Sequence, residues 1–316
     1  MSEVSPEGQL WELMRGALVA RTLGIVADLG IAEALAAGPR PVAELAEETG
    51  ADPDSLNRFL RALASDGVFE EVSPGVYCNT HASEALLETG WREFAHLFGG
   101  AWHRAAGELD ATGAPSFSRA FGSDFWTWLE QHPDERAAFD RAMVDGLESR
   151  VERLASVEWR GDETIVDVGG GNGSLLVGFL ARQPGLHGIV FDLPETVRDE
   201  AAFGDRIEFV GGSFFERVPA GEVFVLSTVL HNWPDEQAAA ILRTIRAGAP
   251  AHGRLLVLDR VIPPEDDRPG AKWFDLLGLA LFGARERTEP QWRDLFAETD
   301  FEPVSIRDGL IEARCR

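Results

Sequence analysis

The sequence predicts a two-domain α/β protein, in which a mainly helical N-terminal domain precedes a doubly wound parallel sheet. From about residue 159 onward, short apolar runs of strand length alternate with helical segments, a pattern typical of parallel sheets with crossover helices. The chain before that point reads as helices with one short hairpin. With 316 residues, the chain is long enough for each domain to bury its own core.

The N-terminal domain, predicted over residues 1–98, has the element order of a winged helix. Three helices and a hairpin are predicted, over residues 18–37, 41–50, 56–66 and 68–77. Asp52 followed by Pro53 predicts the start of the third helix. A winged helix can read DNA, but the first hundred residues hold 16 acids and only 6 arginines. Because phosphate contacts dominate DNA affinity, we expect this domain to serve in dimer packing.

The overall charge and the cysteine count argue against several classes of partner. The formal net charge of −24 argues against nucleic acid and against an anionic membrane surface as partners, because both are bound through a basic face. No apolar run approaches the length of a membrane span, and the acidic N-terminus has no signal-peptide core behind it. Cys78 and Cys315 fit no metal-ligand spacing and predict two reduced thiols. The sequence therefore predicts a cytoplasmic protein that binds no nucleic acid, membrane or metal.

Residues 99–154 are predicted to form a helical linker that also supplies a wall for a substrate. The segment is rich in aromatic side chains, among them Trp102 and Phe125. Most side chains in such a set pack in a core. Their place directly before the sheet domain makes Trp102 and Phe125 candidates for substrate contact as well.

The C-terminal domain, predicted over residues 155–316, contains the sheet. Its central strands are predicted over residues 164–168, 188–193, 207–210, 223–229 and 254–258. Its helices are predicted over residues 173–182, 235–249 and 289–299, and a terminal hairpin over residues 302–306 and 310–313. Five strands on a doubly wound plan with an added hairpin make one coherent domain.

A glycine-rich turn follows the first of these strands. Residues 165–176 read I-V-D-V-G-G-G-N-G-S-L-L, which indicates a buried strand, a glycine turn and the start of a helix. Glycines let the backbone approach a ligand at the carboxyl end of a strand, where doubly wound sheets bind theirs. About twenty residues later Asp192 ends the second strand, where an acid accepts hydrogen bonds from ribose hydroxyls. The pair predicts a nucleoside-type cofactor, and the glycine spacing alone does not exclude NAD.

Four motifs together resemble those of the plant and bacterial small-molecule O-methyltransferases, of the caffeate, hydroxyindole and polyketide-tailoring types. They are D-V-G-G-G-N-G from Asp167, F-D-L-P from Phe191, G-G-S-F-F from Gly211 and L-S-T-V-L-H-N-W-P-D-E from Leu226. The resemblance covers nearly the whole chain. It implies a class I methyltransferase fold of Rossmann-like type with an N-terminal winged-helix dimerisation domain, and hence a homodimer. It also implies S-adenosylmethionine as cofactor, S-adenosylhomocysteine as product and no metal.

The same resemblance implies which residues bind the cofactor. The glycines of the turn pack against its methionine part, Asp192 lies on the ribose, Ser213 and Phe214 lie beside the adenine, and Ser227 lies near its polar end. The family usually has aspartate where this chain has Ser213, whose oxygen is a weaker acceptor for the adenine amino group. The complete predicted set is Gly169, Gly171, Gly173, Asp192, Leu193, Ser213, Phe214, Ser227 and Trp233.

His231 is the candidate general base. It follows the fourth strand at the edge of the sheet where ligands bind, and its unperturbed pKa suits proton transfer near neutral pH. A phenol has a pKa of about 10. A positioned base that removes this proton is worth about 10²–10⁴-fold in rate. The family motif L-H-[DN]-W implies this role for His231, and Asp259 and Glu286 resemble the family positions whose glutamates flank that histidine.

The acceptor is predicted to be a small aromatic, hydroxylated natural product, phenolic or of polyketide type. Residues 273–282 predict a helix whose inner face contacts it, with Phe274 and Leu277 as candidates. Met143 resembles a family methionine near the reacting groups. Two alternatives remain open: a cofactor-binding relative that catalyses hydroxylation, decarboxylation or a pericyclic step, and a winged-helix transcriptional regulator that senses a ligand.

Overall fold

The chain folds into two compact units, Met1–Glu108 with Arg119–Asp145 and Leu109–Ser118 with Gly146–Arg316. The computed structural model describes residues 5–88, 90–143, 146–194, 196–197, 205–263, 269–307 and 309–316. Residues of the predicted linker occur in both units, and the boundaries at residues 98 and 154 stay a prediction. Within the described ranges, no helix is long and apolar enough to cross a bilayer. The cytoplasmic location also stays a prediction.

The first unit is helical apart from a small antiparallel sheet of order β1–β3–β2. The elements up to the hairpin are α1 (Pro6–Met14), α2 (Gly16–Asp28), α3 (Ile31–Ala34), β1 (Arg40–Pro41), α4 (Val42–Thr49), α5 (Pro53–Ser65), β2 (Phe69–Ser73) and β3 (Val76–Asn79). The helices after it are α6 (His81–Glu84), α7 (Trp91–Gly99), α8 (Ala101–Gly107), α10 (Phe125–Gln131) and α11 (Pro133–Ala142), and α9 (Ser116–Phe121) begins in residues of the second unit and ends in residues of the first. Helices α4 and α5 and the β2–β3 hairpin follow one another in the order that a winged helix requires.

Helix α5 begins where its sequence predicts. The side chain of Asp52 accepts a hydrogen bond from the backbone N–H of Ser55 at 2.8 Å, and Pro53 takes the first helical position. Leu56 and Leu60, four residues apart on one face, are fully buried. The cap and the apolar stripe thus fix both the start of the helix and the face that it buries.

The prediction of one helix over residues 18–37 is wrong. Helix α2 ends at Asp28, Gly30 takes a left-handed conformation (φ 67°), and α3 begins at Ile31. Glycine adopts this conformation at little steric cost and so redirects the chain. Apolar residues keep a helical spacing on both sides of the turn, and the spacing alone therefore did not reveal the break.

Helices α2 and α7 pack closely through a pair of glycines. A Cβ atom at Gly24 would come within 2.8 Å of the Cα atom of Gly99. Nearby, His96 of α7 lies between two carboxylates, with Nδ1 2.7 Å from Asp28 Oδ1 and Nε2 3.2 Å from Glu135 Oε2. These hydrogen bonds outweigh burial and raise the pKa of His96 to about 10.

The raised pKa of His96 predicts that its stabilising contribution is lost at alkaline pH. Because the folded-state pKa lies above the ordinary value of 6.5, the contribution is complete below that value and declines as pH rises towards 10. We expect the difference in melting temperature between the wild type and His96→Gln to shrink between about pH 6 and pH 9.5. His81→Gln, which alters a fully exposed histidine, is the control. A His96→Gln difference that does not change with pH would contradict the prediction.

The second unit is built on a seven-stranded sheet of order β11–β12–β8–β7–β4–β5–β6. The strands of this unit are β4 (Thr164–Val168), β5 (His187–Asp192), β6 (Ile207–Gly211), β7 (Val223–Ser227), β8 (Arg254–Leu258), β9 (Val261–Ile262), β10 (Arg287–Thr288), β11 (Phe301–Arg307) and β12 (Leu310–Cys315). Its helices include α12 (Leu147–Ala155), α13 (Ser174–Leu180), α14 (Asp235–Gly248), α15 (Pro269–Phe282) and α16 (Glu289–Glu298). Strands β4 to β8 run parallel, and β12 and β11 add an antiparallel hairpin. The predicted fold class is confirmed.

The central strands are buried on both faces of this sheet. In β4, Val166 and Val168 belong to the core cluster that includes α14 and α16, whereas Ile165 belongs to the cluster that includes α12 and α13. Such two-sided burial explains the nearly continuous apolar runs of these strands. Strand β4 lies between β5 and β7, so the connections diverge at this point and open a crevice at the carboxyl ends of the strands.

Candidate active site

The glycine turn closes tightly over the end of β4. The N–H of Gly169 donates to the carbonyl of Phe191 at 2.7 Å and ties the turn to β5. Gly169 and Gly173 are left-handed, with φ values of 73° and 78°. A Cβ atom at Gly169 would lie 2.9 Å from Val229, and one at Gly173 would lie 3.0 Å from Val190. Both positions therefore require glycine, for conformation and for space.

Asp192 holds this turn from the end of β5. Its Oδ2 atom accepts a hydrogen bond from the N–H of Gly171 at 2.8 Å, and its Oδ1 atom accepts one from the N–H of Leu193 at 2.7 Å. Its backbone carbonyl accepts one from the N–H of Gly212 at 2.9 Å. One residue thus joins the glycine turn to the segment that follows β6.

Aromatic side chains lie beside the turn. Phe214 and Phe215 pack edge-on against Trp233, with ring centroids 5.8 and 4.9 Å away. Phe214 also borders the glycine turn, because a Cβ atom at Gly169 would lie 3.7 Å from its ring. Ser213 uses its hydroxyl oxygen within its own turn, where it accepts a hydrogen bond from the N–H of Phe215 at 3.3 Å. Phe214 and Trp233, both predicted for the cofactor, therefore form one apolar wall.

Asp167 is buried beneath the glycine turn. In the sequence, only its position in the D-V-G-G-G-N-G motif pointed to this residue. It is 2% exposed, and its Oδ2 atom has no hydrogen-bond partner among the residues that the structure describes. A Cβ atom at Gly170 would come within 2.8 Å of this carboxyl. Burial, together with the charge of Asp192, raises the pKa of Asp167 to about 7. An unpartnered carboxyl at this place fits a cofactor that carries a positive charge.

His231 lies on a 3₁₀ turn, Leu230–Asn232, beyond the end of β7. Just before this turn, Thr228 is left-handed (φ 55°), an outlier for a β-branched residue and a form of strain often found at functional sites. The side chain of Asn232 donates to the carbonyl of Thr228 at 3.0 Å. The chain thus turns sharply at the carboxyl edge of the sheet and is held there by its own hydrogen bonds.

Two carboxylates surround the imidazole, and the structure brings the three predicted catalytic residues together. His231 Nδ1 lies 3.0 Å from Glu286 Oε1, and Asp259, which is 2% exposed, acts on the ring through its charge. Burial favours the neutral ring, but the charges of Asp259 and Glu286 outweigh it and raise the pKa of His231. Burial also raises the pKa of Asp259. Glu286 contacts Nδ1, so Nε2 is the ring nitrogen that this carboxylate does not engage.

Two further residues support the pair of Glu286 and His231, and neither was predicted. The backbone N–H of Glu286 donates to Asp275 Oδ1 at 2.7 Å, which ties it to α15. Arg287, which is 1% exposed, donates to the turn that carries His231. The partners of Arg287 lie more than fifty residues earlier in the chain, so no local spacing could reveal them.

The predicted substrate residues of the second unit lie on α15. Phe274 is 41% exposed, and Leu277 is half-buried. The guanidinium of Arg260, which follows β8, lies 4.9 Å from the centre of the Phe274 ring. This stacking places a positive charge and an open aromatic face side by side.

The predicted substrate residues of the first unit are largely core residues. Trp102 packs edge-on against Phe98 at 5.0 Å, and Phe125 packs edge-on against Phe139 at 5.4 Å. Trp102 and Phe125 are 4% and 1% exposed, respectively. Met143 is half-buried at the end of α11. Substrate contact by these residues stays a prediction.

Two family models match the chain. The O-methyltransferase dimerisation domain matches residues 11–89, and the O-methyltransferase domain matches residues 102–302. The second match alone covers more than half of the chain. The first supports the predicted homodimer.

Known proteins of similar sequence span nearly the same length. The phenazine O-methyltransferase PhzM of Lysobacter antibioticus is 36% identical over 96% of this chain and 95% of its own. The 3-amino-4-hydroxybenzoate 4-O-methyltransferase of Streptomyces cremeus is 35% identical over 96% of this chain and 87% of its own. The structure of an O-methyltransferase from neocarzinostatin biosynthesis has a TM-score of 0.83 at 31% identity, over 94% of this chain and 96% of that one.

These matches settle the cofactor and the class of enzyme. The neocarzinostatin enzyme was solved with S-adenosylhomocysteine and 1,4-dihydroxy-2-naphthoic acid. In this chain the glycine turn, Asp192 and the buried carboxyl of Asp167 fit S-adenosylmethionine. The relatives support neither a transcriptional regulator nor a non-methylating enzyme. The chain therefore belongs to the family of S-adenosylmethionine-dependent O-methyltransferases that act on small natural products.

Proposed function

We propose that the protein methylates a phenolic hydroxyl of a small aromatic natural product and that His231 is its general base. The observation that carries this proposal is the grouping of His231 with Glu286, 3.0 Å away, and with the buried Asp259 at the carboxyl edge of the sheet. Two negative charges stabilise the protonated ring, which is the state that proton abstraction creates.

His231 accepts the phenolic proton at Nε2. A phenol has a pKa of about 10, so little of it is ionised at neutral pH. As the proton moves to the ring, the phenolic oxygen forms a bond to the methyl carbon and the bond from that carbon to sulfur breaks. S-adenosylmethionine supplies this methyl group, made electrophilic by its positively charged sulfur. Glu286 keeps the ring oriented from Nδ1, and Asp259 stabilises its positive charge.

The cofactor is proposed to bind at the glycine turn, where Gly169, Gly171 and Gly173 expose backbone to its methionine part. Each oxygen of Asp192 accepts one N–H within the protein, which leaves lone pairs for the ribose hydroxyls. The apolar wall beside the turn suits the adenine. The other proposed contacts are Leu193, Ser213, Phe214, Ser227 and Trp233. Within the described residues, no group of His, Cys, Asp and Glu is arranged to hold a metal ion.

The acceptor is proposed to carry a carboxylate. Arg260 follows Asp259 at the end of β8, lies on the ring of Phe274, and is close enough to His231 for its charge to oppose the rise in the pKa of that residue. Among the described residues its guanidinium is paired with this ring and not with an acid, in a chain of net charge −24. Two relatives are named for hydroxylated aromatic acids, a benzoate and a naphthoate. Arg260 would bind such a carboxylate by a charge-assisted hydrogen bond.

Replacement of His231 is expected to slow methyl transfer without loss of the cofactor. His231→Gln should lower kcat by about 10²–10⁴-fold, because the proton loses its acceptor. The Kd for S-adenosylhomocysteine, measured by calorimetry, should change by less than about twofold. The acceptor for the assay is found by screening phenols for a mass gain of one methyl group. His252→Gln, at an exposed histidine, is the control.

The wild-type rate should also rise with pH through an inflection above about 6.5, the ordinary histidine pKa, because the base acts in its neutral form. An unchanged rate in His231→Gln would show that another group, or water, takes the proton.

Replacement of Gly173 is expected to weaken cofactor binding. Gly173→Ala forces a left-handed alanine against Val190 and should raise the Kd for S-adenosylhomocysteine by about tenfold. Gly107→Ala is the control, because its Cβ atom meets nothing within 4 Å in a helix. Equal affinities in the two variants would argue against the glycine turn as the binding site.

Replacement of Arg260 is expected to change the preference for acids. Arg260→Met should raise the KM for a hydroxynaphthoic acid by at least about tenfold and leave that for its carboxamide nearly unchanged. Arg285→Met, at an exposed arginine paired with Asp235, is the control. The carboxylate proposal is refuted if the wild type prefers the carboxamide, or if the variant affects both acceptors equally.

A further inference from the structure

We propose that Arg287 is a positioning residue for the catalytic histidine, which it holds by the backbone on both sides of His231. The inference rests on the proposed role of His231 as the base. It concerns the placement of that base, since Arg287 contacts the turn around the ring and not the ring itself.

The guanidinium of Arg287 forms hydrogen bonds at two points of the turn that carries His231. Its Nη1 atom donates to the carbonyl of Leu230 at 2.8 Å, and its Nη2 atom donates to the carbonyl of Trp233 at 2.8 Å. These carbonyls lie one residue before and two residues after His231. The planar fork of an arginine can bridge two acceptors at a fixed spacing, which a single ammonium group cannot do. The backbone of the turn is therefore held at both ends by one rigid group.

A third hydrogen bond fixes the guanidinium itself. Its Nε atom donates to Asp235 Oδ1 at 2.9 Å, at the start of α14. The guanidinium also lies 5.4 Å from the centre of the Trp292 ring. A buried guanidinium is unfavourable unless its donors are satisfied, and here carbonyls and a carboxylate satisfy them. An apolar side chain could fill this space without any need for hydrogen-bond partners. The hydrogen bonds to the turn therefore explain why an arginine occupies this position.

The placement of Arg287 next to Glu286 couples the two halves of the site. Glu286 holds the ring at Nδ1, and the next residue holds the backbone that carries the ring. A displacement of either element would change the distance between Nδ1 and the carboxylate. Methyl transfer depends on a reacting geometry that is held within a fraction of an ångström. A small shift of the turn is therefore expected to lower the rate of methyl transfer.

The test is a double-mutant cycle with Arg287→Lys, which keeps the positive charge but cannot bridge both carbonyls. In the wild-type background we expect kcat to fall by at least about tenfold, with the Kd for S-adenosylhomocysteine within about threefold. In the His231→Gln background the same replacement should lower kcat no further, because a residue that acts only through the base has nothing left to position. Arg293→Lys, at an exposed arginine of α16, is the matched control.

Two results would overturn the inference: an unchanged kcat in Arg287→Lys, or an equal fall of kcat in both backgrounds, which would mark a role independent of His231. A normal rate in the His231→Gln single variant would instead refute the proposed role of His231 as the base. This variant is measured before the double variant, so the two failures can be told apart. Should Arg287→Lys fail to fold, Asp235→Asn replaces it, since Asp235 is half-exposed and its Oδ1 atom lies 2.9 Å from both Nε and Nη2 of Arg287. A fall of about threefold in kcat, confined to the background that retains His231, is then expected, and no fall or an equal fall refutes the inference.

Discussion

Parallel pairing of β4, β5, β6, β7 and β8 is the constraint on which the site depends. Because the strands run in one direction, all their carboxyl ends meet at one edge. The glycine turn leaves β4 there, Asp192 ends β5, and His231 and Asp259 follow β7 and β8. Residues nearly a hundred positions apart are thereby brought to one crevice, without any direct signal between them in the sequence. The two-sided burial of the strands makes this edge rigid.

Features of the sequence with a local cause were predictable. The strands of the sheet follow from apolar runs, the start of α5 follows from Asp52 and Pro53, and the turn after β4 follows from its glycines. The break at Gly30 was missed, because the apolar spacing continues across it while the backbone turns left-handed. There a single glycine overrides a periodicity that its neighbours maintain on both sides.

The contacts that hold the site in place were not predictable from the sequence. In the sequence Arg287 looks like any arginine that shortly precedes a helix, and only the fold shows that its donors reach Leu230 and Trp233. Asp167 lies in a motif whose glycines attract attention, yet the Oδ2 atom of its own carboxyl is one of the buried polar atoms without a hydrogen-bond partner among the described residues. Such roles depend on burial and on distance in space. Neither quantity is encoded in the spacing of residues along a chain.

The imidazole of His231 is only partly enclosed: its side chain is 28% exposed, whereas that of Glu286 is 8% exposed and Asp259 is buried. In the proposed reaction each turnover leaves one additional proton on the His231 ring. The charges of Asp259 and Glu286 raise the pKa of this ring and so favour retention of the proton. The open side of the ring is then the exit to water. Catalysis would thus have two halves, transfer of the methyl group and discharge of the proton, and the acids that assist the first half oppose the second.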